Sequence, residues 1–133
     1  MKKWSLFITA LSFVGSYSLA AKKEVSFLFP KDGAEVTSPF KVKFAEKGMK
    51  ITPAGQDVDD KTKGHFHLLL DTSAATEGEV IPADSTHLHY GKGQTEGEIT
   101  LTPGKHTLTL QFADGLHRGY GADLTKTISV TAK

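Results

Sequence analysis

The chain has no cysteine, which removes disulfides, thiol-linked lipid attachment and thiolate metal ligands together. Tryptophan occurs once, at Trp4, and from residue 21 onward the only tyrosines are Tyr90 and Tyr120. A sugar site built on stacked rings therefore has little to work with. Charge of one sign is missing as well: 16 Lys+Arg stand against 15 Asp+Glu, a formal net charge of +1. That balance provides no basic patch for nucleic acid or an anionic membrane surface. Beyond residue 20 no ten-residue segment carries a helical period, which argues against a helix bundle. No nucleophile elbow, phosphate loop or Ser-His-Asp pattern is recognisable, and no enzymatic activity is expected.

The one apolar run lies at the start, where Met1-Lys2-Lys3 precedes an uncharged stretch from Trp4 to Tyr17, with Ser18-Leu19-Ala20 after it. This pattern reads as a cleavable signal peptide over residues 1–20, cut after Ala20, because the run is shorter than the ~20 residues of a membrane span. Without Lys2 and Lys3, 14 basic residues remain against 15 acidic ones. The expected product, residues 21–133, is a single exported domain in the periplasm with no stable membrane anchor.

Within that domain short apolar alternations recur. Val25, Phe27 and Phe29 share one face, as do Phe40, Val42 and Phe44, with Lys41 and Lys43 on the other side. Further strands are expected over Gly64 to Asp71, Thr86 to Tyr90, Glu98 to Leu101, His106 to Phe112 and Leu124 to Thr131. About seven short strands separated by Gly, Pro and Asp turns predict an all-β fold, an antiparallel immunoglobulin-like β-sandwich. Met49 to Lys63, Thr72 to Ser85 and Ala113 to Asp123 are expected as loops.

Histidine is the residue whose placement carries chemistry. Four of the six form two His-x-His pairs, His65 with His67 and His87 with His89. On a strand, residues two apart face the same way, so each pair sets two imidazoles about 7 Å apart along one face. If the Gly64 strand lies antiparallel to both the Thr86 strand and the strand ending at Phe112, His89 falls opposite the His65 end and His87 nearer His67. His117, in the loop after Phe112, comes to the same end. His65, His67, His87, His89 and His117 are thus the expected metal ligands, with His106 at the far end and left out. Clustered neutral imidazoles suit copper, zinc or nickel, and copper is placed first with zinc second. A thioether from Met49 would favour cuprous copper. Asp71, Asp84, Asp114 and Glu96 are candidates to hold the second ring nitrogens, and Glu96 or Asp114 would be the base of a hydrolytic zinc site. The bland alternatives are a surface pair on each strand, a polar network ordering loops, and a cluster that repels itself once protonated.

The motifs Gly64-His65-Phe66-His67-Leu68-Leu69-Leu70-Asp71, His87-Leu88-His89-Tyr90-Gly91-Lys92-Gly93-Gln94-Thr95-Glu96 and Pro103-Gly104-Lys105-His106 resemble those of a family of small exported bacterial proteins classed as a domain of unknown function. The resemblance covers essentially the whole exported part and implies a module without an established activity. Members commonly have a third histidine where Phe66 stands here. Together these readings predict a periplasmic, histidine-rich metal carrier, buffer or resistance factor. The alternative is a non-enzymatic envelope module that binds another envelope protein or a glycan through its loops.

Overall fold

The computed structural model describes residues 12, 14–16 and 22–133, so the expected signal peptide lies almost wholly outside the described residues. Among the described residues no helix is long and apolar enough to cross a membrane.

The described residues form nine strands and a single turn of 3-10 helix. β1 (Glu24–Phe29), β3 (Phe40–Lys47) and β7 (Glu96–Ile99) make a three-stranded antiparallel sheet in the order β1-β3-β7. The second sheet has six strands and runs β2-β9-β8-β5-β4, from β2 (Ala34–Val36) through β9 (Thr125–Ala132), β8 (Gly104–Ala113) and β5 (Lys63–Leu70) to β4 (Lys50–Ile51). β6 (His87–His89) pairs with β5 as well, further along it than β4.

The expected sandwich is therefore present, with two strands more than anticipated. The additions are β2 and β4, which pair parallel with β9 and β5 at the sheet margins. Three- and two-residue strands are too short to display a period of two, which is why alternation did not reveal them.

The core lies between the sheets and is built from the alternating faces. Val25, Phe27, Phe40, Val42 and Phe44 come from one sheet, and Phe66, Leu68, Leu108, Leu110, Phe112, Ile128 and Val130 from the other. Phe44 is its hub, with its ring 5.3 Å from that of Phe66 and 5.0 Å from that of Tyr90, the latter edge-on. Met49 is packed into this same core at 7 % exposure. The thioether is thus on the inner side of β5, whereas His65 and His67 point to the outer side, so Met49 is not a partner of the imidazoles.

The outer face of β5 is also covered. Leu69 and Ala113 form a second small cluster with Ile81 and Ala75 from the loop over 72–85. Gln111, fully buried opposite His67, fastens that loop: its side-chain carbonyl accepts from Ala75 N at 3.1 Å and its amide donates to Ala75 O at 2.6 Å. The loop continues as a partner of the 117–119 segment, through Ile81 N to His117 O and the reciprocal bonds between Gly119 and residues 78 and 79. Two loops tied to each other, the first of them also to Gln111, thus roof the outer face, and His65 and His67 are 0 % and 1 % exposed beneath that roof.

Candidate metal centre

The site begins with register. Pairing of β5 with β8 sets His65 opposite Ala113 and His67 opposite Gln111, and pairing with β6 sets His89 opposite His67 and His87 opposite Leu69. The β6 register lies further along β5 than the sequence suggested, since His89 was expected opposite the His65 end and His87 nearer His67. The shift decides which of the downstream pair joins the cluster. His89 reaches back to His65, while His87 is carried a full pair away.

Three imidazoles from the sheet converge by Nε2. His67 and His65 Nε2 lie 3.0 Å apart, and His89 and His65 Nε2 lie 3.1 Å apart. Each of these three residues offers a nitrogen within 4.8 Å of the other two. His117 joins from the loop after β8, its Nε2 3.2 Å from that of His89. All six ring-centroid separations among the four fall between 4.8 and 5.7 Å. Four nitrogen lone pairs aimed at one another at such distances are mutually unfavourable unless protons or a cation lie between them.

The spacing can be compared with coordination geometry. With metal–nitrogen bonds of ~2.0–2.1 Å, four imidazoles at tetrahedral angles have ring centres about 5.2 Å apart in every pair. In a square plane the same bonds give about 4.5 Å for neighbours and about 6.4 Å across the centre. The observed range matches the tetrahedral case, and its longest member, 5.7 Å between His67 and His117, falls short of the planar diagonal.

The protonation states fit a ligand set. Burial, and then the neighbouring His89 and His117 rings, hold the His65 pKa down to about 4. Burial, then His65 and the other imidazoles, push that of His67 down to about 2. His89 is lowered by burial and by His117. All three are neutral at pH 7, the form that ligates metal. The Nδ1 atoms of His65 and His67 are buried without a hydrogen-bond partner, so neither ring is fixed by the outer hydrogen bond common at metal-bound histidines.

The carboxylates named from the sequence are engaged elsewhere. Asp84 accepts from His87 Nδ1 at 2.7 Å, which holds His87 at the edge of β6. Asp71 accepts from His106 Nδ1 at 2.6 Å, at the opposite end of β5 and β8, and His106 Nε2 lies 2.7 Å from Thr102 O. Glu96 lies in the other sheet beside Lys41 and Lys43. Asp114 is 2 % exposed and is bound by Lys61 and Arg118. Thus the structure brings together His65, His67, His89 and His117, and sets His87 and His106 apart, each on its own aspartate.

Sequence reasoning missed Gly91. A Cβ there would come 2.0 Å from Cε1 of His89, so the His89 ring lies directly against the Gly91 backbone.

Among curated proteins there is no match. A solved structure, the X-ray structure of the endo-beta-1,4-mannanase from Thermotoga petrophila, aligns with a TM-score of 0.50 at 12 % identity, over 84 % of this chain and 20 % of that one. The chain thus spans about a fifth of that protein's length, and the likeness is one of fold alone. A family model described as a domain of unknown function, DUF4399, matches residues 42–133, which hold all four converging histidines. This chain is a member of the DUF4399 family of unknown function.

Proposed function

We propose that the protein is a non-enzymatic, periplasmic metal-binding protein that carries or buffers a divalent ion, with zinc ahead of copper. The observation that carries this reading is the convergence of His65, His67 and His89 by nitrogen atoms within 4.8 Å, with His117 joined to them at 3.2 Å. The order of metals reverses the one read from the sequence. Near-tetrahedral ring spacing suits zinc, whereas cupric copper favours a tetragonal arrangement. Cuprous copper would gain from a sulfur donor, and Met49 is in the core.

Carriage is favoured over catalysis by two features. Four imidazoles fill a tetrahedral shell, and a catalytic zinc keeps a position open for water. The carboxylates considered as a base are held by lysine and arginine. The unpartnered Nδ1 atoms of His65 and His67 also weaken the site, since loss of such outer bonds typically lowers metal affinity 10–100-fold. A site tempered in this way exchanges its ion more readily than a structural one.

The test is calorimetric titration of the purified protein with Zn(II), Cu(II) and Cu(I) at pH 7.5, alongside metal analysis of protein taken from its native compartment. The expected result is one ion per chain. Affinity no tighter than ~10 μM for all three ions contradicts the proposal.

A further inference from the structure

We propose that Asp114 is the positioning residue of this site: its buried carboxylate folds the loop that delivers His117, and so decides whether the fourth imidazole is present. The inference rests on the metal-binding reading for its consequence, although the positioning itself does not depend on a bound ion.

Three of the ligands need no such help. His65 and His67 are on β5 and His89 on β6, so hydrogen-bonded ladders set their directions. His117 belongs to no strand and sits at φ 65°, a left-handed conformation that a residue with a side chain avoids unless its surroundings impose it.

The surroundings converge on one side chain. Oδ1 of Asp114 accepts from the backbone N–H groups of both neighbours of His117, Leu116 at 2.9 Å and Arg118 at 3.0 Å. Its Oδ2 accepts from Arg118 Nε at 2.8 Å and from Lys61 Nζ at 3.1 Å. The main chain of Asp114 accepts from His117 N at 2.9 Å, and Ile81 N closes the other side by donating to His117 O at 2.8 Å. One carboxylate at 2 % exposure therefore holds the residue before His117, the residue after it, and two cations. Charge-assisted bonds of this kind are the strong ones, and only an ionised oxygen pair can accept four donors at once.

Asp114→Asn tests this most sharply. The amide oxygen can still take the two backbone donors, but the amide nitrogen then faces Arg118 and Lys61, donor against donor. Three proteins are compared with the wild type: Asp114→Asn, His117→Ala and the double variant. Zn(II) affinity is measured by competition, Co(II) absorption reads coordination geometry, and NMR contacts between the His117 and His89 rings are followed without metal.

In the wild type Co(II) should give a tetrahedral spectrum and the two rings should be in contact. Each single variant should lose 10–100-fold in Zn(II) affinity and change the Co(II) spectrum in the same way. The double variant should be no worse than His117→Ala alone, because the two residues act through one ligand. The proposal is overturned if Asp114→Asn keeps the wild-type affinity, spectrum and ring contact, or if the two losses multiply.

Should Asp114→Asn fail to fold, Arg118→Met removes one of the four donors. It must then weaken the ring contact and the affinity by less than His117→Ala, and an unaltered Arg118→Met protein overturns the proposal. Should the wild type bind neither ion, the metal reading fails. Loss of the His117–His89 contact in Asp114→Asn still upholds the positioning role, and its retention overturns that role.

Discussion

At the scale of single residues, what separates a candidate ligand from a bystander histidine is its partner. His87 and His106 each face an aspartate, and His106 in addition faces the Thr102 carbonyl, so that both its nitrogens meet acceptors. His65 and His67 face only other imidazoles. Replacing His67 by alanine should therefore lower Zn(II) affinity by more than ~100-fold, while His87→Ala should change it by less than about threefold; competition with a chromophoric chelator separates these. Gly91 gives a second expectation at this scale. Its backbone has no left-handed φ to protect, yet an added methyl would press on the His89 ring. Gly91→Ala should weaken metal binding by roughly 10–100-fold with little change in unfolding of the metal-free protein, as measured by titration and by urea denaturation.

At the scale of elements, seven strands were readable from the sequence, and the marginal β2 and β4 were not. In β5 the alternate positions Phe66, Leu68 and Leu70 are apolar, and in β8 Leu108, Leu110 and Phe112, so these residues can be read from the sequence as the inward face, with His65 and His67 on the opposite one. The three-residue β6 has too little pattern to fix its register, and the displacement keeps His89 in the cluster while taking His87, expected beside it, out to Asp84. The roof over the site was not legible at all, since it is held by backbone bonds and by one glutamine. Alternation in its strand sets Gln111 on the face away from the core; that it clamps Ala75 from both sides depends on a loop with no periodicity. Gln111→Ala leaves the Ala75 N–H and C=O without those partners and should cost about 1–3 kcal/mol in urea denaturation. Amide exchange in residues 72–85 should rise with it.

At the scale of the whole molecule, a neutral imidazole cluster under a roof makes metal-free stability depend on pH. The folded pKa values of His65, His67 and His89 are depressed, so between those values and ~6.5 the unfolded chain binds protons that the folded chain refuses. Stability contributed by these groups is complete above ~6.5 and is lost as pH falls below it, continuing down to about 4 for His65. His106 acts in the opposite sense. Its pKa is raised by the bond to Asp71 and then by Thr102, so its contribution is complete below ~6.5 and is lost as pH rises through the raised value. The buried cluster outweighs one exposed pair. The metal-free melting temperature is therefore expected to fall between pH 7.5 and pH 5, and scanning calorimetry across that range checks the sign. Zn(II) should raise the melting temperature most at the upper end, because ligands must be deprotonated to bind.

On the proposed reading, four imidazoles from two strands and one loop are expected to share a single ion. X-ray absorption at the zinc edge of the Zn-loaded protein measures this directly. Four nitrogen neighbours at ~2.0–2.1 Å with the outer-shell scattering of imidazole rings are expected, reduced to three in His117→Ala. A first shell dominated by oxygen, or one containing two imidazoles or fewer, would contradict it.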